Sequence, residues 1–254
     1  MQTETLNEIT LTWIAIGLLL SAIQLKVTAP YGRHFSRNWG PSISYRLGWI
    51  IMEIVSPLTF AHFFWHGAAG KSTAHWFLFA LWMLHYLNRS LIYPFRARMA
   101  GKEIPVTIVA SAVFFNLVNG FLNGYWLGNF AAFSENWFAS ANVILGGILF
   151  FTGTFINIQS DNILIRLRQP GDTGYHIPQG GFFRWVSCPN HFGEILEWCG
   201  YALMAWSLPA LSFAIWTAAN LIPRALSHHR WYQQQFPDYP KERKAVVPWP
   251  SSGG

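Results

Sequence analysis

The chain has 254 residues, of which 52% are hydrophobic, 17% are aromatic and only 11% are charged. Soluble domains carry about 25% charged residues, so this composition argues against a water-soluble globular protein and indicates an integral membrane protein. The formal net charge is +6, which in a soluble protein would suggest nucleic acid as a partner, so the placement of the charges has to decide that question.

The apolar segments predict membrane-spanning helices, each of which needs about 20 mostly apolar residues. Segments of this kind lie near residues 9–27, 47–67, 73–93, 105–128 and 137–159. A further apolar run from about 195 to 222 is interrupted by Pro209. Because a proline disfavours helical geometry in the residue before it, we expect a sixth helix that ends near Ser207 and a seventh that begins near Pro209. The sequence therefore predicts an all-α polytopic membrane protein with seven transmembrane helices, forming a single domain over residues 1–254.

The basic residues test this count, because cytoplasmic loops of membrane proteins are rich in Lys and Arg. With seven spans, every one of the seventeen Lys and Arg residues except Lys71 falls on the same side. The distribution predicts an N-terminus on the outer side and a cytoplasmic C-terminal tail at about 233–254. We expect a multi-pass protein of a bacterial inner membrane or the endoplasmic reticulum, with the lipid bilayer and no nucleic acid as its partner.

Polar side chains recur on single faces of the predicted helices. Glu53 lies in the second span, where a carboxylate costs about 2.5 to 3.5 kcal/mol on insertion scales, and Tyr86 and Arg89 share a face of the third. Similar stripes follow on the later helices: Asn116, Asn119 and Asn123; Asn157, Asp161 and Arg168; Glu194, Glu197 and Tyr201; Asn220, Arg224, His228 and Tyr232. We interpret the stripes as the lining of one polar cavity that opens to the basic side. The alternative for any single Asn is a hydrogen bond between helices.

Other motifs carry less information about function. His62 and His66 have a spacing that can hold a metal, but the remaining histidines are scattered, so we expect no metal site. Cys188 and Cys199 fit neither a redox pair nor a zinc site and are interpreted as packing residues. No GxGxxG or P-loop motif is present, so a nucleotide would have to be held in another way. Three glycines predict the close approach of another helix to the fourth span: Gly120, Gly124 and Gly128.

Four stretches of the chain resemble the steroid 5α-reductase family. They are HYLNRSLIY (85–93), NGFLNGYWL (119–127), residues 156–211, which include IPQGGFFRW, and residues 224–248, which begin RALSHHRWY. The family consists of seven-helix membrane enzymes that use NADPH to reduce the C4=C5 double bond of 3-oxo-Δ4-steroids. The resemblance therefore implies NADPH as the cofactor and a 3-oxo-Δ4-steroid as the substrate. The loop PFRARMAGKEIP (94–105), Asn88 and His176 depart from the family pattern.

The resemblance also implies roles for individual residues. It makes Glu53 and Tyr86 the pair that contacts the 3-keto oxygen of the steroid. It assigns NADPH contacts to Asn157, Asp161, Arg168, Asn190, Glu194, Arg224, His228 and Tyr232. Hydride delivery to the β-carbon of an enone places negative charge on the carbonyl oxygen, which a positioned donor such as Tyr86 would stabilise.

Three other functions are compatible with the same residues. The first is a reductase of another conjugated substrate, such as an enoyl thioester or a polyprenal, which needs the same donor for a developing enolate. The second is a membrane methyltransferase that uses S-adenosylmethionine, against which the pair Glu53 and Tyr86 argues. The third is a non-catalytic sterol-binding or transport protein, although the chain lacks the repeated halves with broken helices that are typical of transporters.

Overall fold

The computed structural model describes residues 1–167 and 174–248, which are mainly helical. The helices are α1 (Thr3–Gln24), α2 (Tyr45–Trp65), α3 (Thr73–Leu87), α4 (Tyr93–Arg96), α5 (Val106–Asn129), α6 (Ala141–Arg166), α7 (Pro189–Ala205) and α8 (Leu208–Gln235). The two strands are β1 (Ser42–Ser44) and β2 (Glu103–Pro105). Short 3-10 turns lie at Gly32–His34, Arg37–Trp39, Trp137–Ala139 and Gly181–Arg184.

Four of these helices, α1, α2, α5 and α6, are long and apolar enough to cross a membrane. Each overlaps a span predicted from the sequence, which supports the assignment as an integral membrane protein. Helices α3 and α7, with 15 and 17 residues, are shorter than a straight span. Helix α8 has 28 residues, but its C-terminal half is polar. The count of seven spans and the orientation of the termini therefore stay predictions.

The third helical segment continues beyond the end of α3. A π-helical turn (Asn88–Ile92) joins α3 to α4 without a break in the helical backbone. A π-helical turn widens the helix locally and is often found at functional sites. The polar residues of the HYLNRSLIY stretch therefore lie at and just before an irregular turn.

Helices α2 and α5 pack through the three glycines predicted to allow a close approach. A Cβ atom on Gly124 would lie 2.5 Å from the carbonyl oxygen of Phe60, and one on Gly128 would lie 2.6 Å from that of Phe63. A Cβ atom on Gly120 would lie 2.9 Å from the carbonyl oxygen of Ser56. The prediction of a close helix contact is therefore confirmed, and the partner helix is α2.

Helices α6 and α7 also pack closely through glycines, a contact that was not predicted from the sequence. Gly146 on α6 faces Gly200 on α7, and Gly153 on α6 faces Gly193 on α7. A side chain at any of these positions would meet the backbone of the other helix. The two helices are therefore held at backbone contact over about two turns, which fixes the register of the polar residues that follow on each.

The break between α7 and α8 lies where Pro209 predicts it. Helix α7 ends at Ala205, Trp206 adopts a left-handed conformation with φ 49°, and α8 begins at Leu208. The Ser207 hydroxyl accepts a hydrogen bond from the backbone N–H of Ala210 at 3.3 Å and so caps α8.

Two backbone pairings join loops that are distant in sequence. Strands β1 and β2 form an antiparallel pair with Ile43 opposite Ile104, a small sheet that the all-α prediction did not include. Residues 236–248 fold back, so that the N–H of Ser187 donates to the Lys244 carbonyl at 2.8 Å and that of Cys188 donates to the Ala245 carbonyl at 3.1 Å. The described part of the predicted tail is therefore packed against the segment that precedes α7, where Cys188 is buried as expected.

Candidate active site

Arg89, on the π-helical turn, lies between two carboxylates from other helices. Its Nη2 is 3.9 Å from Glu53 Oε1 on α2, and its Nη1 is 3.5 Å from Asp161 Oδ2 on α6. These side chains are only 12%, 15% and 7% exposed, respectively. The guanidinium also lies over the rings of Trp49 and Tyr93, 4.9 Å from each centroid. Buried charges are tolerated when they are paired, so Arg89 offsets the cost of burying Glu53 and Asp161.

Tyr86 is nearly fully buried one turn before Arg89 and is bonded to α5. Its hydroxyl donates to Asn116 Oδ1 at 3.4 Å, and Asn116 Nδ2 donates to the Met52 carbonyl at 2.6 Å. Met52 directly precedes Glu53 on α2. The structure therefore brings Glu53 and Tyr86 into one neighbourhood, although no hydrogen bond joins them in the part of the chain that the structure describes.

Four of the predicted cofactor residues meet where α6 faces α7. Asn157 Nδ2 donates to the Asn190 carbonyl at 3.0 Å and to Glu194 Oε2 at 3.5 Å, and Asn190 Nδ2 donates to Asp161 Oδ1 at 3.2 Å. The glycines at which the two helices touch lie four residues before Asn157 and one residue before Glu194. A fifth predicted residue, Arg168, lies outside the described residues.

Arg224 on α8 holds the segment between α1 and α2. Its Nη1 and Nη2 donate to the carbonyls of Ala29 and Tyr31, each at 2.7 Å, and its guanidinium lies 3.7 Å from the centroid of the Tyr31 ring. The Arg224 side chain is buried, and these two bonds satisfy two of its five N–H donors. No local sequence pattern predicts this contact, because the partners are 193 and 195 residues apart along the chain.

The other two predicted residues on α8 contact the same segment. His228 Nδ1 is hydrogen-bonded to His34 Nε2 at 3.1 Å, and the Tyr232 hydroxyl accepts from Arg33 Nη2 at 3.3 Å. Partial burial, with the positive charges of Arg224 and Arg33, lowers the pKa of His34 to about 4. The imidazole of His34 is therefore neutral at pH 7, so the contact between the two rings is a hydrogen bond without charge repulsion.

His191, on α7, lies between two sets of predicted cofactor residues, those on α6 and α7 and those on α8. Its ring is 5.9 Å from that of His228 on α8, and the residue directly follows Asn190 on α7. Its buried Nδ1 and the Nη1 of Arg33 have no hydrogen-bond partner among the described residues. His191 and Arg33 were absent from the predicted site, since neither belongs to a polar stripe on a predicted helix.

A buried His–carboxylate pair joins α3 to α7 beside Tyr86. His85 Nδ1 lies 3.0 Å from Glu197 Oε1, with the two side chains 6% and 2% exposed. The sequence placed Glu197 in a polar stripe, and His85 is the first residue of the HYLNRSLIY stretch. Their pairing fixes α3, which carries Tyr86, against α7, which carries Glu194.

Of the other two asparagines in the predicted stripe, Asn119 makes the hydrogen bond between helices that was the alternative considered, and Asn123 bonds its own helix. Asn119 Oδ1 accepts from Trp13 Nε1 on α1 at 3.3 Å. Asn123 Nδ2 donates to the Asn119 carbonyl of its own helix at 3.0 Å. Of this stripe, Asn116 is the member that contacts a predicted site residue.

Two histidines with metal-ligand spacing face each other at the far end of α2. His66 Nδ1 is 2.9 Å from the His62 carbonyl, and the two rings are 4.6 Å apart. In the described ranges 1–167 and 174–248, no cluster of three or more His, Cys, Asp or Glu side chains could hold a metal. The pair is accounted for by contacts within its own helix.

The donors and acceptors of the site divide into two chemical types. Arg33, Arg224, His228 and Tyr232 present cationic or N–H and O–H groups, which suit phosphate oxygens. Asn157, Asp161, Asn190 and Glu194 present amides and carboxylates, which suit ribose hydroxyls or a carboxamide. The unpartnered polar atoms of Arg33 and His191 indicate that the neighbourhood has hydrogen-bonding capacity left over.

Comparison with known proteins gives consistent matches over most of the chain. A family model described as 3-oxo-5-alpha-steroid 4-dehydrogenase matches residues 102–250. Steroid 5-alpha-reductase DET2 of Arabidopsis thaliana is 42% identical over 238 residues, which cover 90% of each chain. Two proteins named 3-oxo-5-alpha-steroid 4-dehydrogenase 1 are similar over 237 residues and 92% of this chain. That of Macaca fascicularis is 39% identical over 90% of its own length, and that of Homo sapiens is 38% identical over 91%.

Proposed function

The chain belongs to the 3-oxo-5-alpha-steroid 4-dehydrogenase family, and on that premise we propose that it reduces the C4=C5 double bond of 3-oxo-Δ4-steroids with NADPH. The family is one of oxidoreductases, and its reductases imply a nicotinamide cofactor. The choice of NADPH, the steroid as substrate and the roles of individual residues are parts of the proposal. The buried Tyr86 hydroxyl, bonded to Asn116 one helical turn before Arg89 and its partner Glu53, is the observation that carries it.

The cofactor is proposed to bind along α6, α7 and α8. The cationic and hydroxyl groups of Arg224, His228 and Tyr232 fit its phosphates, and Arg33 adds a guanidinium whose Nη1 has no partner among the described residues. Asn157, Asp161, Asn190 and Glu194 fit the ribose and the carboxamide, and Arg168 is proposed as a further contact from its match to the family. When bound, the reduced nicotinamide supplies the hydride that C5 receives.

Tyr86 is proposed to hold the steroid 3-keto oxygen. As the β-carbon gains a hydride, negative charge develops on this oxygen, and a phenol donor that is already in place stabilises it at little reorganisation cost. Glu53 is proposed as a second group at the same oxygen or as the residue that orients Tyr86. At 3.9 Å from Arg89, its carboxyl group is ion-paired but lies beyond hydrogen-bond distance, so it keeps the capacity to hydrogen-bond a ligand.

Protein of the full chain, purified in detergent or nanodiscs, tests the reaction directly. Absorbance at 340 nm should fall when NADPH is mixed with a 3-oxo-Δ4-steroid, and mass spectrometry should detect a product two mass units heavier. An enoyl thioester and a polyprenal are the comparison substrates. Turnover of either one without turnover of the steroid would contradict the proposed substrate while leaving the family assignment intact.

Variants of the two proposed catalytic residues test the site. Tyr86→Phe removes only the hydroxyl and should lower kcat by about 10²- to 10³-fold, the usual cost of losing one donor to a developing oxyanion. Glu53→Gln should also lower kcat strongly. Binding of NADPH, followed by the quenching of tryptophan fluorescence, should remain near that of the wild type in both. Near-normal turnover in both variants would remove the pair from the mechanism.

A matched measurement tests the proposed cofactor face. The variants Asn157→Ala and Arg224→Ala should weaken NADPH binding, in contrast to the catalytic variants. Unchanged affinity in both would contradict the placement of the cofactor along α6 and α8.

A further inference from the structure

Asn116 connects the two helices that carry the proposed catalytic pair. The residue lies on α5 and is 5% exposed. Its Oδ1 is 3.4 Å from the Tyr86 hydroxyl on α3, and its Nδ2 is 2.6 Å from the carbonyl oxygen of Met52 on α2. Because Met52 directly precedes Glu53, one amide side chain links Tyr86 to the backbone beside Glu53.

The partners of Asn116 determine how its amide is turned. A backbone carbonyl can only accept a hydrogen bond, so the atom 2.6 Å from the Met52 oxygen must be the NH₂ group. The Oδ1 atom therefore faces Tyr86, and because it can only accept, the phenol must donate to it. The hydrogen bond from Tyr86 to Asn116 is weak, because its two oxygen atoms are 3.4 Å apart. The bond is strong enough to orient the Tyr86 hydroxyl, yet it can be exchanged for one to a ketone at small cost.

A second polar group lies beside the same hydroxyl. Ser56, on α2, is fully buried, and its hydroxyl lies within reach of the Tyr86 hydroxyl. When Tyr86 donates to a ketone, its oxygen can accept from Ser56, which would strengthen the phenol as a donor.

We propose that Asn116 is a positioning residue for the reduction, whose amide sets the place of the Tyr86 hydroxyl relative to Glu53. This inference rests on the proposed function, because it requires Tyr86 to donate to the substrate ketone. The two neighbouring asparagines provide the contrast: Asn119 is bonded to α1 and Asn123 to its own helix. A role common to the whole stripe would therefore not explain the contact with Tyr86.

A double-mutant cycle on steroid-dependent NADPH oxidation tests the inference. The cycle compares the wild type with Tyr86→Phe, Asn116→Leu and the double variant. Asn116→Leu alone should lower kcat about tenfold, as expected for losing one orienting hydrogen bond, with an unchanged KM for NADPH. In the Tyr86→Phe background the same substitution should have no further effect, because a residue that acts through a hydroxyl cannot act once that hydroxyl is gone. The matched control Asn123→Leu should keep the kcat of the wild type.

Two results would overturn the inference while leaving the proposed function intact. One is a wild-type kcat for Asn116→Leu, and the other is a full additional loss in the double variant, which would show that Asn116 acts independently of Tyr86. If the Leu variant does not fold, Asn116→Ala removes the same amide with a smaller side chain and takes its place in the cycle. Failure of the proposed function is distinguishable, since the wild type itself would then show no steroid-dependent oxidation of NADPH.

Discussion

Arg89 illustrates how one residue can hold a charged interior together. Among the residues that the structure describes, Arg89 is the cation that lies between Glu53 on α2 and Asp161 on α6. If Arg89 is removed, two carboxylates remain in a poorly solvated site without their cation. Breaking a buried pair in this way costs about 3 to 5 kcal/mol, whereas an exposed pair contributes little.

Arg89→Met should therefore lower the Tm of the detergent-solubilised protein clearly, because the substitution keeps much of the side-chain volume and removes the charge. The matched control is Arg37→Met. Arg37 is also ion-paired, 3.7 Å from Glu103, but its side chain is 82% exposed, so this variant should leave the Tm nearly unchanged. Equal shifts in the two variants would contradict a role for Arg89 as the central counter-ion.

For individual residues, the sequence indicated which ones are polar and buried, but it did not indicate which residues they contact. Glu53 and Asn116 stand out because a membrane helix should not carry them. Their partners Arg89 and Tyr86 lie on other helices, so the pairs depend on how helices pack and not on any local pattern. His34 and Arg33 lie in a loop without periodicity, and no signal connected them to α8.

At the scale of elements, glycine positions fix the distance between helices. On α6, a Cβ atom on Gly153 would meet the backbone of Gly193 and Glu197, whereas among the described residues one on Gly147 would approach only the sulfur of Met204 outside its own helix, at 4.0 Å. The first contact lies four residues before Asn157 on α6 and one residue before Glu194 on α7. The packing of α6 on α7 and the proposed cofactor contacts are therefore parts of one arrangement.

Gly153→Ala should lower the Tm and raise the KM for NADPH, because the added methyl group would push α7 away from α6. Gly147→Ala is the control on the same helix. It should leave the KM unchanged and stabilise the protein slightly, since Ala is favoured over Gly within a helix by up to about 1 kcal/mol. A normal KM for Gly153→Ala would separate the helix contact from the proposed cofactor site.

The boundaries of the elements were largely predictable, because apolar length and Pro209 are local signals. A close helix contact on α5 was predictable for the same reason, since glycines at four-residue spacing mark a helix surface, whereas its partner α2 was not. The π-helical turn and the pairing of β1 with β2 were not. Both depend on how neighbouring segments compete for backbone hydrogen bonds once the helices have packed.

At the scale of the whole molecule, the basic residues predict which end of the bundle faces the cytoplasm. The proposed cofactor residues lie on the helix ends adjoining the basic loops, so a cofactor from the cytosol would reach them directly. Glu53 and Tyr86 lie deeper in the predicted spans than these helix ends, at the depth where a lipid-soluble substrate is expected.

Cysteine labelling tests the orientation. In a background with Cys188→Ala and Cys199→Ala, Glu135→Cys should react with a membrane-impermeant maleimide added outside intact cells or right-side-out vesicles. Arg98→Cys and Arg37→Cys should react only after permeabilisation. If only α1, α2, α5 and α6 crossed the membrane, Arg37 and Arg98 would lie on opposite sides, so opposite labelling of these two positions would contradict seven spans.

The small sheet of β1 and β2 constrains how often the chain can cross the bilayer. Since Ser44 is paired with Glu103, the intervening chain leaves one end of the bundle and returns to it, which requires an even number of crossings. If α2 crosses, the helical stretch 73–96 must therefore cross back, although α3 alone is short. The bond between Ser187 and Lys244 imposes the same parity on α7 and α8. Each of these two backbone pairings therefore limits the number of crossings between its paired residues to an even number. The connectivity of the chain thus restricts the number of spans independently of hydropathy.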